Sequence, residues 1–283
     1  MESTRIRRLV HLSDLHFGAS PRLEARTAAV VDDLVARNVD HVVVTGDMTE
    51  HGTNEEFERF CRVFEPLAQR RRLTVIPGNH DRLGDDVAEL TMGGQRVRVE
   101  RRDGLHLVLV DSTRTNPGFA FVAHGRLDDT DLAAIDRALR QAAPGSLVCV
   151  LLHHHPLAMP HESWLEALGD RVGLPFGQAL DRGEALVALA RGRADLVLHG
   201  HRHRPRGTWI EGARPLGIFN AGCSPQLGCG REFLHRGGAV LRGWHEVRGG
   251  SARSHRRDRV VPPPSLELPS LPASADLSLA AVR

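Results

Sequence analysis

Lysine does not occur in this chain of 283 residues, and all 37 of its basic side chains are arginine. We read that as a bias of composition, within which a minority of the arginines would be available to bind phosphate. An excess of charge is also missing. The 37 basic residues meet 35 acids, for a formal net charge of +2. That balance implies no strong field for holding a nucleic acid or a membrane surface. Cysteine is scarce: Cys61, Cys149, Cys223 and Cys229 are the only four, and no two form a C-x-x-C pair. This argues against a zinc ribbon or a thioredoxin-type motif. Cys149 lies inside an apolar run and is expected as a small buried hydrophobe. No run approaches the roughly 18 apolar residues of a membrane span. The opening "MESTRIRRLVHLSD" lacks the apolar stretch of a signal peptide. No internal repeat of fixed period is visible. These absences together lead us to expect a soluble, reduced, cytoplasmic protein.

What is present is ordinary for a globular enzyme: 41% hydrophobic and 25% charged residues. Short apolar runs at 8–13, 41–46, 73–78, 105–112, 146–153 and 194–200 read as strands. Segments 22–37, 53–69, 128–143 and 178–191 space their apolar residues along one helical face. Strands alternating with helices predict an α/β layer structure. After 205 the pattern changes. "GTWIEG", "LGIFNAG" and "AVLRGWHEVRG" read as strands with no helix between them, which predicts a run of antiparallel strands. From about 251 the chain turns rich in proline, serine and arginine. The expected organisation is therefore a catalytic domain over 1–250 and a flexible tail over 251–283.

The chemistry lies at the strand ends. The stretch "VVVTGDMTE" stops a valine run at Gly46 and places Asp47 on the turn. Other strands end in the same manner. "SDLHFG" supplies Asp14 and His16, and "PGNHDR" supplies Asn79, His80 and Asp81. "LLHHHP" supplies His153, His154 and His155, and "HGHRHRP" supplies His201 and His203. Ligands of open α/β sheets bind outside the carboxyl ends of the strands. Five strands aimed one way would gather these groups. Imidazoles with a few carboxylates and an amide suit Mn, Fe, Zn, Co or Ni rather than Ca or Mg. There are more ligands than one ion needs, and an aspartate can bridge two. Gly46, Gly78 and Gly200 would permit the tight turns that deliver the side chains.

Taken in order, "D-L-H", "G-D", "G-N-H-D", "H-H-H-P" and "G-H-R-H" resemble the calcineurin-like metallophosphoesterases over about residues 8 to 225. "LLHHHPL" followed by "SWL" is similar to their class III cyclic-nucleotide phosphodiesterase branch. The resemblance implies an αββα fold, a two-sheet β-sandwich flanked by helices. It also implies two divalent transition-metal ions (Mn, Fe or Zn). Asp14, His16 and His203 would hold the first ion, Asn79, His153 and His201 the second, and Asp47 would bridge. His80 would face the phosphoryl group, with Asp81 orienting its ring. Two ions about 3.5–4 Å apart would clamp an in-line displacement by a bridging hydroxide. His80 would add a factor of about 10²–10⁴.

Singly, each ligand has a plainer reading. Asp14 could cap a turn, Asn79 could tolerate a left-handed bend, and "HHHP" could be a solvated loop. Five such coincidences in this order would be needed to dispose of the site. His11 is read as structural. His41, His51, His106, His124 and His199 are read as structural or exposed. Arg202, between two ligands, and His161 and Trp164, in the loop after "HHHP", are candidates to touch substrate. The basic cluster Arg253, Arg256, Arg257 and Arg259 is read as a solvated tail. The expected partner is a small phosphorylated substrate, a nucleotide first, with no membrane. A nuclease of the same fold is the alternative, less favoured because no basic groove is visible. A protein phosphatase, a lipid-precursor pyrophosphatase and a non-catalytic protein-binding scaffold complete the range. The sequence leaves the oligomeric state open.

Overall fold

The computed structural model describes residues 6–102, 104–114, 124–158 and 179–246. The expectations placed on His161, Trp164, the basic cluster and the tail 251–283 lie outside the described residues.

The chain begins β1 (Arg7–Leu12), α1 (Pro21–Ala36), β2 (His41–Thr45), α2 (Asn54–Gln69) and β3 (Leu73–Ile76). A short 3-10 turn (His80–Arg82), α3 (Ala88–Met92), β4 (Val97–Arg102) and β5 (Leu105–Val110) follow. Then come α4 (Asp129–Arg140), β6 (Leu147–Leu151), α5 (Gly183–Ala190) and β7 (Leu196–His199). The described part ends with β8 (Arg206–Ile210), β9 (Leu216–Asn220), α6 (Ser224–Leu227), β10 (Arg231–Arg236) and β11 (Ala239–Glu246). Two sheets result, ordered β11-β10-β1-β2-β3 and β4-β5-β6-β7-β9-β8.

Period-two burial dictates the layering. In β2, Val42 and Val44 face α1 and α2, where Val30, Leu34, Phe60 and Phe64 lie, while Val43 joins the layer between the sheets. In β6, Val148 and Val150 join the cluster of Ile135, Leu139 and Leu186 from α4 and α5. Leu147, Cys149 and Leu151 point the other way, to meet Leu9, Ile76 and Phe233 across the sandwich. Strands buried on both faces read as continuous apolar runs, which is why they were legible. Burial pushes the Cys149 thiol well above its ordinary pKa, as expected of a core thiol.

Three of the four expected helices start within a residue of the sequence reading, whereas the one expected over 178–191 spans only Gly183–Ala190. Ser20 caps α1 by accepting from Leu23 N with Pro21 in the first turn, and Thr53 caps α2 by accepting from Glu56 N. Asp128 and Asp131 form a reciprocal capping box on α4.

One expectation fails. The segments after 205 are not a single antiparallel run. β8 and β9 pair with each other and β9 runs parallel to β7, closing the second sheet. The chain then crosses through α6, and β10 joins β1 antiparallel in the first sheet. The crossing was hidden because β10 reads "REFLHR", a polar-looking string. Its Arg231, Glu232 and His235 are nonetheless buried.

Within the first sheet β1, β2 and β3 run parallel, and within the second β5, β6, β7 and β9 do. All of their carboxyl ends open on the same end of the sandwich. No described helix is long and apolar enough to cross a membrane.

Candidate metal centre

The turns after β1, β2, β3, β6 and β7 meet. Asp14, Asp47, Asn79 and His153 are buried, and His16 is 5% exposed. Only His203 stands well out, with 44% of its side chain exposed. Five of these positions, Asp14, His16, Asp47, His201 and His203, have left-handed backbone with φ of 45–75°. Non-glycine residues adopt that region at a cost, of order 1–3 kcal/mol each where the surroundings enforce it. Hydrogen bonds between the turns do the enforcing. Asp14 N donates to Gly46 O, and Leu15 N and His16 N donate to Asp47 O. His201 N donates to Asp14 Oδ1 at 3.0 Å, and His80 N donates to Asp47 Oδ1 at 3.0 Å.

The glycines serve close approach. A Cβ on Gly46 would lie 2.5 Å from His153 Nδ1, and one on Gly200 would lie 1.8 Å from Ser13 Oγ and 2.6 Å from Asp14 Oδ2.

The donor atoms fall into two groups with one member in common. His16 Nε2 lies 3.1 Å from His203 Nε2, and His203 Nε2 lies 3.5 Å from Asp14 Oδ1. Asn79 Oδ1 lies 3.0 Å from both His153 Nε2 and His201 Nδ1, which are 3.3 Å from each other. Asp47 Oδ2 faces both groups, at 3.8 Å from His16 Nε2 and 3.4 Å from His153 Nε2.

The chemistry of this donor set fits cations. His153 Nδ1 sits 2.8 Å from Thr45 O, a pure acceptor, so that nitrogen carries the proton. In the neutral ring Nε2 then bears a lone pair, and it points at the Asn79 oxygen. In that form two acceptors face each other at contact distance, a contact that a metal ion resolves, or, without one, the proton that the raised pKa keeps on the ring. His16 repeats the pattern: Nδ1 donates to Glu50 Oε2 at 2.7 Å and Nε2 is turned inward. An outer acceptor fixing the tautomer of a ligating imidazole is the usual support of a metal site. The electrostatics agree. Burial opposes charge on His16, but the bond from Glu50 and the Asp47 and Asp14 carboxylates outweigh it and hold its pKa at about 9. Burial likewise opposes charge on His153, but Asp47 above all holds its pKa at about 9. Burial works against the Asp47 anion, yet His153, His80 and His16 hold its pKa well below the ordinary value. The pocket thus draws positive charge toward Asp47.

His80 stands beside this set, edge-on to His16 with ring centroids 4.8 Å apart. Its ring is oriented by Glu50, whose carbonyl oxygen accepts from Nδ1 at 2.8 Å. Asp81, expected to orient that ring, does other work. Its carboxylate accepts from Gly78 N at 2.8 Å, from Thr49 N at 2.9 Å and from Thr49 Oγ1 at 2.7 Å. Being buried, it pins the turn after β2 to the turn after β3, and so positions Asp47 and Asn79 together. His154 is held through Ser112 Oγ, 2.9 Å from Nδ1, and His155 stacks on His201 at 5.8 Å between centroids. Arg202 is 8% exposed, so its side chain is largely withdrawn from solvent.

Three supporting residues were not legible in the sequence. Glu50 acts twice, by carboxylate on His16 and by carbonyl on His80. Ser112 accepts from the amides of His153 and His154. Cys223 donates its thiol proton to Asp14 O at 3.2 Å. A signal existed for Glu50 alone, as the acid three positions past Asp47 in "TGDMTE".

Comparison with known proteins agrees with this geometry. The family model described as calcineurin-like phosphoesterase matches residues 7–205. The 3′,5′-cyclic adenosine monophosphate phosphodiesterase of Vibrio vulnificus (strain CMCP6) is 28% identical over 221 residues, 74% of each chain. The protein of the same description from Pseudomonas aeruginosa is 30% identical over 173 residues, 58% of this chain and 60% of that one. Among solved structures, a purple acid phosphatase from yellow lupin seeds superposes with a TM-score of 0.60 at 14% identity, covering 82% of this chain and 50% of that one. A dimetal phosphatase from Danio rerio gives 0.54 at 12% identity, covering 81% and 95%. These two likenesses are of fold. The chain belongs to the calcineurin-like phosphoesterase family and is a metal-dependent phosphoric ester hydrolase.

Proposed function

We propose that the chain hydrolyses a phosphodiester, or a phosphomonoester, of a small nucleotide, with cyclic nucleotides first, by means of two divalent transition ions. Asp14, His16 and His203 would hold one ion, Asn79, His153 and His201 the other, and Asp47 would bridge. The observation that carries the reading is the shared position of Asp47 Oδ2, 3.8 Å from His16 Nε2 and 3.4 Å from His153 Nε2. The substrate class is supported by the similarity to the Vibrio vulnificus phosphodiesterase and to a cAMP/cGMP dual specificity phosphodiesterase of Mycobacterium tuberculosis (strain CDC 1551 / Oshkosh), 26% identical over 238 residues.

When bound, such ions neutralise charge on phosphoryl oxygens and lower the pKa of water toward neutrality. The chain's own part lies in the protons and the geometry. Thr45 O and Glu50 Oε2 keep His153 and His16 in the tautomers that aim lone pairs inward. His80 has its amide on Asp47 Oδ1 and its Nδ1 on Glu50 O, so Nε2 is the nitrogen that acts on substrate. There it stabilises charge on the phosphoryl oxygens or gives a proton to the departing oxygen. Asp14 and Asp47 belong to the proposed ligand set, Glu50 is engaged with His16, and Asp81 with the amides of Gly78 and Thr49, so His80 is the side chain assigned to the phosphoryl group.

The test is a substrate panel. Metal-loaded protein is assayed at matched concentration with cyclic nucleotides, bis-p-nitrophenyl phosphate, p-nitrophenyl phosphate and single-stranded DNA. Turnover of a cyclic nucleotide above the others is the expected result. Preference for DNA would replace this reading with that of a nuclease. No hydrolysis of any substrate, with the metal complement present, would refute it.

A further inference from the structure

We infer that the chain carries a second cation-binding cluster at the mouth of the site, formed by His16, Glu50 and His80, and that zinc held there inhibits the enzyme. One ligand atom from each of the three lies within 4.8 Å of the others. Glu50 and His80 belong to neither ligand group described above, and both are partly open to solvent. His16 joins the two clusters because its ring nitrogens point opposite ways: Nε2 inward, Nδ1 to Glu50 Oε2 at 2.7 Å.

The donors are two imidazole nitrogens and one carboxylate oxygen. That set suits zinc, which accepts three protein ligands and leaves a fourth position for water. Ligand atoms bound to zinc at about 2.0–2.1 Å in a tetrahedron lie about 3.3 Å apart. The His16–Glu50 contact must therefore open slightly and His80 must swing inward. The Glu50 side chain, 30% exposed, has the room to do so. No electrons move. Zinc takes the place of the proton shared by His16 Nδ1 and Glu50, and that proton leaves to solvent. His80 contributes Nε2, since its Nδ1 rests on the Glu50 carbonyl. Zinc would thus occupy the nitrogen that acts on substrate. The inhibition rests on the role given to His80 above, whereas the binding does not.

The experiment uses the full chain reconstituted with zinc and freed of excess metal by gel filtration. It is then titrated with further zinc, with bound metal counted by equilibrium dialysis and turnover followed in parallel. The wild type is expected to take up one zinc more than Glu50→Gln and one more than His80→Ala. A control, His51→Ala, removes a different His–Glu pair, His51 with Glu56, and is expected to keep the extra ion. Turnover of the wild type should fall by about 10²–10⁴-fold as the extra ion binds, and Glu50→Gln should hold its own starting rate. Two variants in different side chains guard against one that folds poorly, and the resident zinc count of each reports its integrity. Equal zinc counts in the wild type and both variants would overturn the cluster. A bound extra ion that leaves turnover unchanged would overturn the inhibition, while hydrolysis of an unforeseen substrate would touch only the function proposed above.

Discussion

Glu50 offers the sharpest perturbation, because its two roles use different atoms. Its carboxylate holds His16 Nδ1 at 2.7 Å, and its backbone carbonyl holds His80 Nδ1 at 2.8 Å. A side-chain substitution should remove the first role and leave the second. Outer partners of ligating imidazoles are worth about 10–100-fold in metal affinity. Here the pair is charge-assisted and His16 is 6% exposed, but Glu50 is 30% exposed, so solvent screens part of it. Glutamine keeps an acceptor oxygen and loses the charge, so Glu50→Gln should weaken one ion by about tenfold, while Glu50→Ala should approach 100-fold. In free energy that is about 1.4 and 2.7 kcal/mol. The assay titrates metal into stripped protein while following both binding and turnover. With manganese as the saturating metal, kcat should stay near the wild-type value, since the carbonyl still orients His80. A loss of kcat at saturation as large as that of His80→Ala would refute the separation. So would unchanged metal affinity in Glu50→Ala.

Asp47→Ala should lose both ions and nearly all turnover, since its Oδ2 faces both ligand groups; normal metal content and rate would contradict the bridging role. His80→Ala should keep its metal and lose about 10²–10⁴-fold in rate, with a smaller loss for substrates with good leaving groups if the ring protonates the departing oxygen. Burial, with Arg102 adding to it, holds His41 down at a pKa of about 3, and Nε2 pairs with Thr74 Oγ1 at 2.9 Å. Below about pH 6.5 the unfolded chain takes up a proton that the folded chain refuses, so stability falls by about 1.4 kcal/mol per pH unit from this group. His41→Gln should flatten the fall of the urea midpoint between about pH 6.5 and 5, and an unaltered slope would count against it. We also propose that a chain ending at residue 250 keeps its fold and its turnover of a small ester, because β11, the last strand among the described residues, ends at Glu246; a melted core would move the domain boundary.

Much of the architecture was legible because β2, β5, β6 and β7 are buried on both faces and therefore spell unbroken apolar runs. β10 was not, since its polar residues are buried against partners far along the chain: Arg231 donates to Asn220 O at 2.7 Å, and Glu232 meets Arg37 at 2.8 Å. A window of sequence cannot show that such partners exist. The same limit separates candidate ligands from their supports. Asp14, His16, Asp47, Asn79, His153, His201 and His203 announce themselves at strand ends, and the structure gathers all seven. Ser112 and Thr45 act through a hydroxyl and a backbone carbonyl, and nothing local marks them, while Glu50 is marked only by its place three residues past Asp47. Asp81 shows the same limit: adjacency to His80 suggests a partnership, but its buried carboxylate bonds to the amides of Gly78 and Thr49 and to the Thr49 hydroxyl.

The left-handed backbone of the ligand turns connects stability to function. Asp14, His16, Asp47, His201 and His203 all hold φ between 45° and 75°. Each such residue costs about 1–3 kcal/mol, so the five together take up a sizeable part of the roughly 5–15 kcal/mol that keeps a domain folded. Glycine at these points would relieve the strain but would remove the ligand. The chain instead puts glycine next to the candidate ligand, at Gly46 and Gly200, where close packing requires it, and leaves the strain on the side chain proposed to hold metal. Cations that bind the folded state alone would offset that strain through mass action. The physical consequence is a coupling: stripping the metal should lower the unfolding midpoint, whereas Asp47→Gly should strip the metal and recover part of the loss by relaxing its turn. Asp47→Ala removes the same carboxylate but keeps a Cβ at φ 49°. If the metal-free glycine and alanine variants unfold at the same midpoint, the strain at this turn is negligible and the coupling does not exist.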